Sequence, residues 1–416
     1  MKVKDLIIGA GISGLSYAAA SPRDYLILEA DNQVGGYCKS IRQDGFVWDY
    51  SGHFFHFQHP DIKDFVMKNI PEEEMLSVQK RTQILYKDAR IDYPFQMNIH
   101  QLDKEEFIDC LYDLFTTTDT ERVTSFKQML YAKFGKAIAE KFLIPYNSKL
   151  YATDLNELDV DAMGRFFPYA NKEQIIKNFK KTDTSSYNAS FLYPKEGCMR
   201  IVDSMFSHVS KNRVSLNEPV LSIDRKNKKV TTPRRTITYD NLISTMPLPK
   251  LYDVCGMDYE KSIYSWNKVL VFNLGFDTKG PETKNNWIYV PEDKYCFYRV
   301  GFYDNILGSD RSSLYVEIGF GKDNMVVPTQ ALLKQTLAEL VSAGFITPEM
   351  KLVSHHSVVM DPAYVHITQK SEIDKKLKLD LLKEDQIYSI GRYGAWKYCS
   401  LEDNIHDAFQ LAASII

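Results

Sequence analysis

The chain has 416 residues, 44% of them hydrophobic and 25% charged, with a formal net charge of −3. That length exceeds what one simple hydrophobic core organises, so two or three packed domains are expected. The near balance of charge gives no pull toward nucleic acid or an anionic membrane, and no apolar run approaches the ~20 residues of a membrane span.

The N-terminal segment reads strand, tight turn, helix, strand. Leu6-Ile7-Ile8 is a buried-strand run, and Gly9-Ala10-Gly11-Ile12-Ser13-Gly14 follows it and opens an Ala-rich helix. In such a turn Gly9 permits the tight bend and Gly11 lets the backbone approach a pyrophosphate, while Gly14 lets helix and strand pack closely. The phosphates, beside Ser13, would meet free N–H groups at the positive end of the helix. A second strand, Tyr25 to Leu28, ends in Glu29, twenty residues after Gly9 and placed to accept hydrogen bonds from ribose hydroxyls. A chance glycine-rich loop would not have all four features in register. Gly35-Gly36 then resembles the second glycine pair of FAD enzymes of the glutathione-reductase type, which favours FAD over NAD.

Around Asp103 the pattern becomes helical. Asp103 and Glu106 have capping-box spacing ahead of Phe107, Leu111 and Leu114, and Ser125 and Gln128 repeat it ahead of Met129, Leu130 and Phe134, with Gly135 as the expected stop. Helical patterning runs on to about Phe179. From Phe191 the reading is mostly β, with strands expected at Val214 to Ile223, Lys229 to Thr238, Val269 to Phe276, Trp287 to Val290, Phe297 to Phe302 and Leu314 to Phe320. A helix over Thr329 to Val341 interrupts them. The chain closes with a strand, Ile387 to Ile390, then Gly391 to Gly394, then a helix. Ser400 and Asp403 cap that helix, and Ile405, Phe409, Ala412 and Ile416 share one face.

The expected fold class is α/β: a Rossmann-like FAD-binding domain with an inserted helical bundle domain and an antiparallel β-sheet domain. The first comprises residues 1–92, 191–250 and 385–416, the second residues 93–190 and the third residues 251–384. The six cysteines are scattered with no CxxC pair, which reads as reduced thiols in a soluble, cytoplasmic protein. His53, His56 and His59 are spaced by three, but no carboxylate or cysteine completes a ligand set. Phe54, Phe55 and Phe57 between them point to packing, so no metal is expected.

Eight stretches resemble the UDP-galactopyranose mutase family, above all its eukaryotic-type members, in the family's order along nearly the whole chain. They are Asp49-Tyr50-Ser51-Gly52-His53, Tyr93-Pro94-Phe95-Gln96-Met97-Asn98-Ile99, Pro145-Tyr146-Asn147-Ser148-Lys149-Leu150-Tyr151, Asn188-Ala189-Ser190-Phe191, Ser244-Thr245-Met246, Trp287-Ile288-Tyr289-Val290-Pro291-Glu292, Phe297-Tyr298-Arg299 and Gly391-Arg392-Tyr393-Gly394-Ala395-Trp396-Lys397-Tyr398.

The resemblance implies interconversion of UDP-galactopyranose and UDP-galactofuranose without net redox change, with N5 of reduced FAD as nucleophile on the anomeric carbon. It implies UDP-galactose or a related UDP-sugar as substrate and a reductant such as NADPH or NADH; charge and hydropathy give no nucleic acid and no membrane as partners, and a homo-oligomer is left open by the sequence. By the same resemblance Arg165 and Arg299 are the pyrophosphate arginines, a role suited to planar, always-charged donors, and Tyr289, Tyr364 and Tyr398 hold the diphosphate. Tyr93, Phe95, Gln96, Asn147 and Tyr151 fall at the uridine pocket, Asn188 near the sugar and Glu402 at an acidic substrate-side position. Ser51, Gly52 and His53 form the loop against the flavin, with Gly391 and Arg392 also at the cofactor. Ser51 replaces a glycine of the family's Gly-Gly-His loop, Tyr151 replaces a Trp, and Glu402 replaces an Asn of the eukaryotic-type members. The alternative reading is an FAD-dependent oxidoreductase of the amine oxidase or protoporphyrinogen oxidase type, for which paired phosphate-binding arginines would be surplus. A catalytically silent flavin-binding protein would need neither the arginines nor the tyrosines.

Overall fold

The computed structural model describes residues 1–117, 123–180 and 189–415. Its first sheet is built on β1 (Lys2–Ile8), which lies parallel to both β2 (Tyr25–Leu28) and Thr236–Ser244. Leu6 pairs with Leu26 on one side and Leu242 on the other, and Leu6, Ile7 and Ile8 are all buried. A central parallel strand is covered on both faces, which is why this run is continuously apolar rather than alternating. Val214–Ser215 extends the sheet beyond β2. A hairpin, Ser222–Asp224 with Lys229–Thr231, extends the far edge, and Ile387–Ser389 joins in parallel with Thr236–Ser244. Helix α1 (Ile12–Ala20) packs on this sheet and against the final helix, Leu401–Ser414.

The expected strand Val214 to Ile223 is two short strands, separated by Asn217 at φ +52° and by Pro219. Lys229 to Thr238 likewise divides, into Lys229–Thr231 and the start of Thr236–Ser244, because Thr232 to Arg235 form the turn.

The second sheet has eight strands. Ser265–Phe276 lies between Leu352–Met360 and Ser313–Gly321, followed by Arg299–Phe302, Trp287–Tyr289, Thr82–Tyr86 and Ala89–Asp92, with Val365–His366 paired to Ser265–Phe276. Thr82 to Asp92, grouped from sequence with the nucleotide-binding segments, therefore belongs to this sheet, joined in parallel to Trp287–Tyr289. Leu352–Met360 was not expected; its Ser354, His355 and His356 break the apolar signature of a strand.

The helical segment starts as expected. Asp103 accepts from Glu106 N at 2.9 Å and Ser125 from Gln128 N at 3.2 Å. The Glu106 carboxylate does not complete a capping box: it binds Tyr86, Lys87 and Lys141, tying the helices to the second sheet. Gly135 is a kink at φ +76° rather than a stop, and helix Phe126–Ile138 continues through it toward Ile144–Tyr151. Helix Gln369–Glu384, also unexpected, carries a reciprocal Thr368–Ser371 capping box. The Ser400–Asp403 box is present, and Ile405, Ala408 and Ala412 are buried on the final helix; Ile416 lies outside the described residues. No helix among the described residues is long and apolar enough to cross a membrane.

Candidate active site

A cleft of about 940 Å³ opens at the C-terminal ends of β1 and β2, lined by Gly9, Gly11, Ser13, Glu29, Gly35, Gly36, Gly52, His53, Gly391 and Arg392. This is the ligand position expected of an open parallel sheet. Gly11 stands at the N-cap of α1, so the capping position has no side chain to cover the first N–H groups of the helix. A Cβ on Gly14 would lie 2.0 Å from the Gly9 oxygen, so only glycine allows this approach of helix to turn. Glu29 is held by Ala10 N at 2.6 Å and Asp31 N at 2.9 Å, one donor per oxygen, which leaves lone pairs for sugar hydroxyls. Gly391, at φ +86°, brings the returning chain onto α1, where Ser13 Oγ donates to Asn404 Oδ1 at 3.2 Å. The cleft runs on past these groups to Tyr398, leaving length beyond an ADP moiety for a flavin, and the residues present fit FAD.

Beside the cleft lies a group of tyrosines around half-buried cations. Arg299 and Glu317 face each other across neighbouring strands and pair bidentately, Nε to Oε2 and Nη2 to Oε1, both at 2.7 Å. Burial works against the Glu317 carboxylate, yet the Arg299 charge and hydrogen bonds, with that of Ser51, hold its pKa below the ordinary glutamate value. Ser51, expected at the flavin, thus turns its hydroxyl to Glu317. The rings of Tyr93 and Tyr146 lie 4.8 and 5.1 Å from Tyr289, and Tyr364 stacks on Tyr398 at 5.8 Å. Arg392 lies over Tyr364 and Tyr398 at 5.0 and 4.7 Å, and its buried Nε has no partner among the described residues.

The structure does not gather all the expected residues. Asn147, Tyr151 and Gln96 are buried, and Asn147 Oδ1, Tyr151 OH and Gln96 Oε1 have no hydrogen-bond partner among the described residues, as polar atoms awaiting a ligand would. Phe95, by contrast, is fully buried against Phe142 and Tyr86, and is core rather than pocket wall. Arg165 sits at the rim of a smaller hollow shared with Tyr398, where it binds Gln58 Oε1 at 2.9 Å and Asp403 Oδ1 at 2.6 Å. Glu402 is also corrected: it accepts from Gln58 N and His59 N, so its carboxylate caps a backbone turn instead of facing substrate. Asn188 lies outside the described residues. Sequence reasoning missed Glu317, whose trace is a lone acid within the apolar run Leu314-Tyr315-Val316-Glu317-Ile318.

The three histidines do not converge. His56 Nδ1 lies 3.0 Å from Ser190 O and His59 stacks on His406. Asp49, His53 and Cys198 do place ligand atoms within 4.8 Å of one another. The Asp49 oxygens are taken by Ser40 Oγ, Cys198 N and Tyr193 OH, however, and burial holds the Cys198 thiol well above its ordinary pKa. A hydrogen-bonded network describes this trio better than a metal site. Burial, then the Arg392 charge, lowers the pKa of His53 to about 4. Below the unfolded value of about 6.5 the unfolded chain takes up a proton that folded His53 refuses. Stability should therefore fall as pH drops from about 6.5 to 4, and chemical denaturation of His53→Gln should show a flatter pH dependence than the parent. Equal slopes would exclude the effect.

The profile of the flavin containing amine oxidoreductase family matches residues 12–415. A curated relative, protoporphyrinogen oxidase 2, chloroplastic/mitochondrial, from Arabidopsis thaliana, is 21% identical over 289 residues. That alignment covers 58% of this chain and 57% of the relative, so the chain matches just over half of its length. Among solved structures, reduced UDP-galactopyranose mutase superposes with a TM-score of 0.91 at 24% identity, over 100% of this chain and 94% of that one. A structure named as a protoporphyrinogen oxidase from Exiguobacterium sp. 255-15 superposes with a TM-score of 0.79 at 17% identity, over 99% and 98%.

Proposed function

The chain belongs to the flavin containing amine oxidoreductase family, with FAD as its cofactor, and we propose that within it the protein is a UDP-sugar mutase interconverting UDP-galactopyranose and UDP-galactofuranose. The observation that carries this reading is the half-buried Arg299, oriented by Glu317 and walled by tyrosines, together with Arg392 at the cofactor cleft, whose Nε has no partner among the described residues. A departing diphosphate develops negative charge, and fixed cations in a water-poor pocket stabilise it strongly. For an oxidase, which works through an apolar hydride-donor pocket, paired phosphate-binding arginines would be surplus.

Reduced FAD, when bound, supplies at N5 a nucleophile for the anomeric carbon and is regenerated without net redox change. Arg299 receives the diphosphate while Glu317 fixes the plane of its guanidinium. Arg165 leaves Asp403 to close the second side, and the Tyr289 and Tyr398 hydroxyls donate to the phosphate oxygens, with Tyr364 behind them. Within the helical segment, residues 93–190, Asn147 and Gln96 read the uracil edge while Tyr93 and Tyr151 offer ring faces. Burial and the Arg392 charge keep His53 neutral at the flavin side near neutral pH, so it adds no charge there. A reductant such as NADPH or NADH is the implied partner.

Dithionite-reduced protein incubated with UDP-galactose should yield UDP-galactofuranose by chromatography, and the oxidised protein should yield none. Oxygen-consuming turnover of an amine or porphyrinogen, with UDP-sugars ignored, would establish the second reading, which the Arabidopsis relative favours.

A further inference from the structure

The residues proposed to meet the uridine and those proposed to meet the diphosphate lie on separate elements, and beside their ring contacts the Lys149 side chain joins the two. Lys149 projects from helix Ile144–Tyr151, between Asn147 and Tyr151, into the turn that links Tyr289 to Arg299. Its Nζ donates to four backbone carbonyls in that turn: Val290 at 3.1 Å, Glu292 at 2.9 Å, Tyr295 at 2.9 Å and Phe297 at 2.6 Å. Three ammonium hydrogens shared among four acceptors make a cage of the kind a metal cation would occupy.

Among the described residues no carboxylate forms a salt bridge with Lys149, although Glu292, Asp293, Glu339 and Cys296 face it. Burial lowers its pKa to about 8, against the pull of those groups. A carboxylate partner would have fixed only the lysine; four carbonyls fix a stretch of main chain, in which Glu292 O also accepts from Tyr295 N at 3.3 Å. The helix end is itself anchored to the second sheet. Asn267 Nδ2 donates to Leu150 O, His366 Nε2 lies 2.9 Å from Tyr151 O, and a Cβ on Gly319 would lie 2.2 Å from Lys149 O. The cage therefore closes a link from a fixed helix to an irregular turn that ends at Arg299.

We infer that Lys149 is a positioning residue that sets the Tyr289–Arg299 segment against helix Ile144–Tyr151, and so sets the spacing between the diphosphate and uridine halves of the site. This rests on the mutase reading for its catalytic consequence, though not for the clamp itself. Displacements near 1 Å at such groups cost on the order of 10²-fold in rate.

The test uses FAD-loaded full-length protein. Lys149→Gln should keep its FAD and its reduction by dithionite, while kcat/KM for UDP-galactose drops on the order of 10²-fold, with KM raised as well as kcat lowered. Hydrogen exchange of the peptide spanning residues 290–298 should speed up, with little change elsewhere. Lys149→Ala should recover about tenfold of its lost activity when ethylammonium is added to fill the cage, a rescue that general loss of stability would not show. Near-parental kcat/KM, or absence of rescue in a folded Lys149→Ala, would overturn the inference. Should the parent protein ignore UDP-galactose, the mutase reading fails and the clamp is judged by exchange alone; unchanged protection of residues 290–298 in Lys149→Gln overturns it. Should neither variant fold, the parent decides. The amides of residues 290–298 should exchange slowly in the parent, and exchange as fast as in an open surface loop overturns the inference.

Discussion

Gly14→Val should purify colourless, with no bound FAD. The β-carbon alone would stand 2.0 Å from the Gly9 carbonyl oxygen and 3.3 Å from an Ile7 methyl, before the valine methyls are counted. Relief requires α1 to move away from β1, and that movement withdraws the helix N-terminus from the place where the pyrophosphate sits. That movement also opens the core in which Ile7 of β1 packs with Leu15 and Ala18 of α1, while the second sheet keeps a core of its own. The visible absorption spectrum of the purified protein reads the outcome. A yellow, folded Gly14→Val would contradict the phosphate-turn assignment.

Arg299→Ala should retain FAD and lose roughly 10²–10³-fold or more in kcat, the scale of removing one preorganised donor from a developing charge. It should also lower stability, since Glu317 would be left as a buried carboxylate without its cation, a change that costs roughly 3–5 kcal/mol. The two effects separate in the double variant Arg299→Ala/Glu317→Gln. Denaturation should show stability largely regained, and steady-state assays of the reduced enzyme should show activity still absent. Arg299→Lys keeps the charge but loses the fork that meets Glu317 and the diphosphate together, so it should remain far below the parent. Near-normal turnover in Arg299→Ala would remove the residue from the reaction.

How far each part could be read in advance depended on how local its cause is. The N-terminal unit was legible because turn, helix and acid constrain one another within about thirty residues. The caps at Asp103, Ser125 and Ser400 were legible for the same reason. Strand Thr82–Tyr86 was misassigned because its parallel partner, Trp287–Tyr289, lies some two hundred residues on, and nothing local records the pairing. Helix Gln369–Glu384 escaped notice because Ile373, Leu377 and Leu381 face solvent, so its apolar stripe does not mark a core.

In the candidate site, aromatic residues were easier to name than to place. Tyr93 and Tyr289 do face each other, whereas Phe95, two residues beyond Tyr93, belongs to the core. Glu402 was misread because an acid near an active-site tyrosine looks the same in sequence whether it meets a ligand or two backbone amides. Arg299 could be named from sequence, but its dependence on Glu317 could not, since that pairing is a matter of register between strands.

The contact between Ser13 and Asn404 joins residues 391 positions apart, and it has a consequence for how the protein comes into being. A ribosome releases the phosphate turn long before helix Leu401–Ser414 that leans on it, so a nascent chain has no finished place for its coenzyme until that helix has emerged. Uptake of FAD then coincides with the closing of a loop of 391 residues, a non-local contact that forms slowly. Once made, the contact lets the coenzyme stabilise the phosphate turn and that helix together. Loss of the coenzyme should in turn loosen the two as one unit.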